Sequence, residues 1–232
     1  MNILGIILAR KGSKGIPGKN YLKLEKKNLV EIAIRNAKKS SMLNKILFSS
    51  DDKKLVNVAK SLGVSAPFLR PKNLSNDKAS SFSVLKHAIE WLEKNENWKT
   101  DIVVLLQPTT PFRTGKIIDD VIKLLIRSKS NAAMTITDVD YPPHWMILMK
   151  KNKKLKTLIK NGNKFTRRQD TPQCYKPAGL VYAIRKNILY KIKGLLPHGD
   201  TRGFYISPEQ SINIDNYLHY LLAKTLSKKF LK

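Results

Sequence analysis

The chain has 232 residues, enough for one large domain or one domain with an appendage, and its single cysteine, Cys174, excludes an intrachain disulfide. Its 44 Lys and Arg against 17 Asp and Glu give a formal net charge of +27, which by itself points to a polyanionic partner. The basic pairs, such as Lys26-Lys27, Lys53-Lys54 and Lys150-Lys151, recur along the whole chain without regularly interleaved aromatics, so nucleic acid is not the expected partner.

The opening MNILGIILARKG has no basic residue before its apolar run, and that run is far shorter than a membrane span, which predicts a soluble, cytoplasmic protein with no membrane partner. Within it, Ile3 to Ala9 is continuously apolar, as for a strand buried on both faces of a parallel sheet. A helix is predicted over Leu29 to Ser41, a strand over Lys45 to Ser50, and a helix from Asp51-Asp52 to about Leu62 with acidic residues at its N-terminus. Val64 to Leu69 reads as a weaker strand interrupted by proline. Ser81 to Asn95 carries Val84, Leu85, Ala88, Ile89 and Leu92 at helical spacing, and DIVVLLQ (Asp101 to Gln107) is the clearest strand. Helix Thr114 to Ser128 and strand Ala132 to Val139 follow. From Asp140 to Lys164 the rhythm stops in a proline-marked, lysine-rich excursion. Strand character returns at Gly179 to Ile184 and Phe204 to Ser207, and Asp215 to Leu231 closes as a helix. The alternation predicts an α/β fold with a mainly parallel sheet, whose ligands bind outside the carboxyl ends of the strands.

The stretch LARKGSKGIPGKN (Leu8 to Asn20) stands at such an end. It is not a Walker A loop, because Ser13 stands where the first glycine belongs and Asn20 follows Gly18-Lys19. Nor is it a dinucleotide fingerprint, since its glycines fall at Gly12, Gly15 and Gly18. Three glycines free the backbone for positive φ and close approach, Pro17 stiffens the exit, and Arg10 and Lys19 supply positive charge at either end. An anion cradle of triphosphate size is the expectation. The four histidines show no metal-ligand spacing and no adjacent nucleophile, which excludes zinc and Ser/His triad chemistry from the reading.

ARKGSKGIPGKN resembles the N-terminal signature of the CMP-sialic acid synthetase family, the cytidylyltransferases that activate nonulosonic acids. The resemblance continues in order through LRPKNLSNDKASS (Leu69 to Ser81), LLQPTTPFRT (Leu105 to Thr114), RRQDTPQCYKPAGLVY (Arg167 to Tyr182) and SINID (Ser211 to Asp215). It covers nearly the full chain and implies a single Rossmann-like nucleotidyltransferase domain over residues 1–232, with an inserted dimerisation arm at about 140–170. The implied reaction joins CTP to a nonulosonic acid with Mg²⁺ and releases pyrophosphate, in an enzyme that is a homodimer with its arm reaching the neighbouring site. A transferase for another acidic sugar, or a non-catalytic polyanion-binding protein on the same fold, are the alternatives.

By the resemblance, Arg10, Gly12, Ser13, Lys19 and Asn20 would hold the nucleotide phosphates, Arg70, Asp77, Ser80 and Ser81 the cytidine, and Gln107, Arg168 and Gln169 the sugar acid. Transfer at an α-phosphate is catalysed by positioning and fixed cations, for which Lys19 is the best candidate, with Arg10 and Asp215 beside it. Arg168 can pair bidentately with a carboxylate, and Lys176 adds a less directional charge.

Two departures stand out. The family's D-I-D ending is Asn213-Ile214-Asp215 here; in an extended segment residues two apart face the same way, so Asn213 and Asp215 would share one ligand while Ile212 and Ile214 face the core. Mg²⁺ can make do with one carboxylate plus phosphates and water. Asp215 could equally serve as the cap of the last helix. In Lys176-Pro177-Ala178-Gly179, alanine stands where sialate-type members carry asparagine, whereas Gln-Pro-Thr-Thr-Pro resembles the nonulosonate branch and not the octulosonate one.

Overall fold

In the computed structural model, which describes residues 1–13, 15–192, 194 and 198–231, the apolar runs become the strands of one central sheet. In chain order the elements are β1 (Ile3–Leu8), a short antiparallel pair β2 (Lys23–Leu24) and β3 (Lys27–Asn28), α1 (Leu29–Lys38), β4 (Lys45–Ser49), α2 (Lys53–Ser61), α3 (Ser81–Glu96), β5 (Ile102–Leu106), α4 (Gly115–Arg127), β6 (Ala132–Asp138), the hairpin β7 (Ile147–Met149) and β8 (Leu155–Thr157), β9 (Tyr175–Arg185), α5 (Lys186–Leu189), β10 (Thr201–Tyr205) and α6 (Tyr217–Phe230). The sheet has six strands in the order β10-β6-β9-β5-β1-β4. All run the same way except β9, which is antiparallel to both β5 and β6.

Alternation along the strands explains why both faces are covered. Ile3 and Ile7 of β1, with Ile102, Val104 and Leu106 of β5, pack under α1, α2 and α4. Leu4, Ile6, Val103 and Leu105 face the other way, under Phe82, Leu85, Ala88, Ile89 and Leu92 of α3. Each fully buried aliphatic side chain contributes about 1.5–3 kcal/mol, so these two layers hold the strand ends in register. A third cluster docks α6 through Ala223 and Phe230 onto Leu24, Leu29, Ile32, Phe112 and Ile214.

Helix starts follow local chemistry. Asn28 and Glu31 form a capping box at α1, while Asp52, Ser80, Thr114 and Asn216 cap α2, α3, α4 and α6. Asn216, and not Asp215, is therefore the cap of the last helix.

Three segments differ from expectation. Val64 to Leu69 makes only one isolated bridge, Ser65 to Leu47, because Pro67 has no N–H to extend a ladder. Strand β9 begins at Tyr175, four residues before the expected Gly179, and β10 covers Thr201–Tyr205 where Phe204 to Ser207 was expected. The excursion contains the β7–β8 hairpin, pinned at its base by Trp145 Nε1 donating to the Phe165 carbonyl at 2.7 Å.

Candidate active site

The carboxyl ends of β1 and β5 flank a cleft of about 330 Å³. Arg10, Gly12, Ser13, Lys19 and Asn20 line one wall, Ser81 a second, Gln107, Pro108 and Thr109 a third, and Asn213 and Asp215 close it. The 213–215 segment meets the end of β5 here because Ile214 N donates to the Thr109 carbonyl at 2.8 Å while the Ile214 side chain is fully buried in the third cluster.

The glycine loop is held by its own polar groups. Asn20 Nδ2 donates to the Arg10 carbonyl at 2.9 Å, and the Lys11 N–H donates to Asp51 Oδ1 at 2.8 Å. At the exit, the Tyr21 hydroxyl donates to Asp52 Oδ2 at 2.7 Å; burial, then the Asp52 carboxylate, push Tyr21 up to about 12. The glycines serve different ends. Gly18 adopts φ +67°, whereas Gly15 is required for close approach: a Cβ there would lie 2.1 Å from the Asp215 carbonyl oxygen. A Cβ at Gly12 would meet nothing within 4 Å. Gly18 thus shows the positive φ, and Gly15 the close approach, that the loop was expected to use.

Charges in the cleft are paired in a definite way. Lys19 Nζ stands 3.0 Å from Asp215 Oδ1, and Asn213 Nδ2 donates to Asp215 Oδ2 at 2.9 Å. Asn213 Oδ1 is buried with no hydrogen-bond partner. Arg10 Nη1 pairs with Asp77 Oδ1 at 2.6 Å. The Asp215 N–H donates to His219 Nδ1 at 3.3 Å, a support from the first turn of α6 that sequence reading did not single out.

The other expected residues lie around this cleft. Arg70 is buried at the end of β4 and does not line the cleft, donating from Nε to Ser49 Oγ at 3.0 Å and from Nη2 to the Ser49 carbonyl, and burial lowers it to about 10. Ser80 is spent on capping α3. Arg168 and Gln169 line a separate pocket of about 120 Å³ at the end of β6, where Arg168 Nη2 donates to the Val139 carbonyl at 3.0 Å. Lys176 forms an ion pair with Asp140, which holds that carboxyl below its ordinary range. Gln107 is thus in the cleft wall with the phosphate-loop residues, while the cationic residues expected to face the sugar acid stand on the β6 side of the same sheet edge.

Among the described residues no group of three or more His, Cys, Asp and Glu could hold a metal ion. What the cleft offers a cation is one carboxylate, Asp215, beside the unpartnered Asn213 oxygen. That oxygen-only pair suits Mg²⁺ shared with phosphates and water.

A family model described as Cytidylyltransferase matches residues 4–210. The pseudaminic acid cytidylyltransferase of Campylobacter jejuni subsp. jejuni serotype O:2 is 35% identical over 182 residues, which cover 78% of this chain and 78% of that protein. The N-acylneuraminate cytidylyltransferase of Escherichia coli O18:K1:H7 is 30% identical over 228 residues, 98% of this chain but 52% of that protein, so the chain spans about half its length. Among solved structures, CMP:2-keto-3-deoxy-manno-octonic acid synthetase complexed with CTP aligns with a TM-score of 0.69 over 99% of both chains at 16% identity, a likeness of fold.

Proposed function

The chain belongs to the cytidylyltransferase family, and from that premise we propose that it transfers CMP from CTP to the anomeric hydroxyl of a nonulosonic acid. The observation that carries the reading is the meeting of the glycine loop, Gln107 and the Asn213–Asp215 segment in one cleft at the carboxyl ends of β1 and β5. In the reaction the acceptor's anomeric oxygen forms a bond to the α-phosphorus. The bond from that phosphorus to the bridging oxygen breaks, pyrophosphate leaves with the electron pair, and the acceptor proton passes to solvent or a nearby base.

On this reading Arg10, Ser13, Lys19 and Asn20, with the N–H groups of the loop around Gly12, cradle the triphosphate. Asp77, Ser80 and Ser81 border the cytidine, and Arg70 acts indirectly by fixing Ser49 at the end of β4. Lys19 supplies the cation nearest the charge that develops on the leaving pyrophosphate. Its ammonium covers one Asp215 oxygen and must move towards the phosphates before that carboxylate can take another cation. Asp215 and the Asn213 oxygen would hold Mg²⁺, which would supply positive charge to offset that of the phosphates.

We further propose a homodimer. The β7–β8 hairpin exposes Ile147 (58%), Met149 (72%) and Leu155 (60%), apolar side chains that a second copy would cover. Arg168, Gln169 and Lys176, at the root of this arm, would then serve the acceptor carboxylate across the dimer. Among the described residues no helix is long and apolar enough to cross a membrane. The nucleotide substrate and the single cysteine support a cytoplasmic site of action.

The test is pyrophosphate release with CTP and Mg²⁺ across pseudaminic, legionaminic, N-acetylneuraminic and octulosonic acids. Release with one of the first three supports the reading. Release only with the octulosonic acid assigns another acidic sugar. No release, together with tight, salt-sensitive DNA binding, gives the polyanion-binding alternative.

A further inference from the structure

The most deeply buried charged side chain among the described residues is Arg113, at 1% exposure, and no carboxylate lies within ion-pair distance of it. A cation in that position is tolerable only when its hydrogens are well placed. Arg113 Nη1 donates to the Leu180 carbonyl at 2.7 Å, the Gln107 carbonyl at 3.1 Å and Thr110 Oγ1 at 3.3 Å. Thr110 Oγ1 in turn lies 3.0 Å from the Gln107 carbonyl and 3.2 Å from that of Gly179, its one proton serving either.

These acceptors mark the place where the sheet divides. The β5–β9 register ends at Leu105 and Tyr182, the β6–β9 register slips between Met134 and Ile136, and Gly179 takes φ +76°. At the break side chains replace the ladder, which resumes between β6 and β9 at Ile136 and Pro177 but not between β5 and β9. Thr135 Oγ1 accepts from the N–H groups of Leu180 and Val181 at 3.1 and 3.2 Å, while Arg113 and Thr110 take the carbonyls of Leu180 and Gly179. Gln107, the first residue after β5, has its carbonyl inside this clamp. Its side chain runs beside Gly179, where a Cβ would stand 3.5 Å from Gln107 Oε1.

We propose that Arg113 is a positioning residue for the sugar acid: it ties the end of β5 to β9 where the two strands part, and thereby sets Gln107 in the cleft wall. Nη1 at the tip of the guanidinium reaches carbonyls of different strands at once while Nε stays buried with no partner, and a lysine ammonium, one bond nearer the backbone, falls short of that point. The inference rests on the reading of Gln107 as an acceptor contact, so the test includes Gln107 itself.

Arg113→Lys, Thr110→Val and Gln107→Ala are compared with the parent, using whichever of pseudaminic, legionaminic and N-acetylneuraminic acid gives the fastest pyrophosphate release. Thr110→Val is nearly isosteric and decides the matter if Arg113→Lys does not fold. Expected are an acceptor KM raised about ten-fold in Arg113→Lys, the scale of a lost buried hydrogen bond, a smaller rise in Thr110→Val, and an unchanged CTP KM in both. Parallel rises in both KM values, or a lowered Tm with both KM values unmoved, overturn the proposal. If Gln107→Ala raises the acceptor KM and the other two variants do not, the positioning role falls while the reading of Gln107 stands. If Gln107→Ala leaves it unmoved, that reading falls and Arg113's role with it.

Discussion

Replacing Lys19 with alanine removes a cation whose side chain is 14% exposed and whose Nζ stands 3.0 Å from Asp215 Oδ1. An ammonium about 4 Å from a unit of developing charge is worth about 4 kcal/mol at an effective dielectric of about 20. The cleft is open to water on one side, which brings the figure to about 3 kcal/mol, the scale of losing one oxyanion donor. That corresponds to about a 150-fold fall in kcat. Initial rates of pyrophosphate release at saturating CTP and acceptor measure it, and calorimetric CTP binding separates a ground-state loss. Because interactions made only in the transition state lower kcat and kcat/KM together, both should fall. A kcat within about three-fold of the parent, or a defect confined to CTP affinity, refutes the role given to Lys19.

Asn213→Asp adds a carboxylate beside Asp215, and the Mg²⁺ concentration for half-maximal rate should drop; Mn²⁺ binding followed by electron paramagnetic resonance should tighten as well, and titrations that do not move would remove Asn213 from the metal site. Gly15→Ala places a Cβ 2.1 Å from the Asp215 carbonyl, so the loop must draw back from residues 213–215; calorimetry should show weakened CTP binding with little change in Tm, and unaltered affinity would mean the contact does not shape the cradle. Asp119 is pushed up by burial, but hydrogen bonds from Ser40, Ser41 and the Met42 N–H outweigh this and leave it below its ordinary 3.8. A carboxyl depressed in the folded state contributes stability that is full above its unfolded pKa and is lost as pH falls through the folded one. Asp119→Asn should therefore lower stability at neutral pH and flatten its loss below about pH 4, and denaturation curves with parallel acid limbs would contradict this.

What could be read from the sequence follows from which faces are buried. Ile3–Leu8 and Ile102–Leu106 are apolar at every position because helices cover both sides of the sheet there, so they announce themselves as strands. The start of β9 does not, because Tyr175 to Pro177 pair with β6 alone; on that half-free edge Pro177 needs no ladder N–H and polar residues are tolerated. β10 pairs only with β6, so Arg202 and Gly203 occupy it without an apolar signature. The β7–β8 hairpin hides among lysines for the same reason, its residues packing on no sheet.

The cleft was legible where the motif residues carry the contacts themselves, as with Lys19, Gln107 and Asp215. It was illegible where their placement depends on long-range geometry. That Lys19 would sit on Asp215, that Arg70 would bond the Ser49 carbonyl at the end of β4, and that Arg168 and Lys176 would stand at the end of β6 are consequences of strand order, which residue pattern does not encode. Arg113 left one signal: it is the first charge after the uncharged run Leu105 to Phe112, placed directly ahead of the α4 cap.

The central claim is the transfer itself. With purified chain, CTP and Mg²⁺, the account predicts stoichiometric release of pyrophosphate and a CMP-linked sugar, seen by mass spectrometry, when a pseudaminic, legionaminic or N-acetylneuraminic acid is added. Absence of that product with all three acids, under conditions where CTP binding is measured and intact, would contradict it.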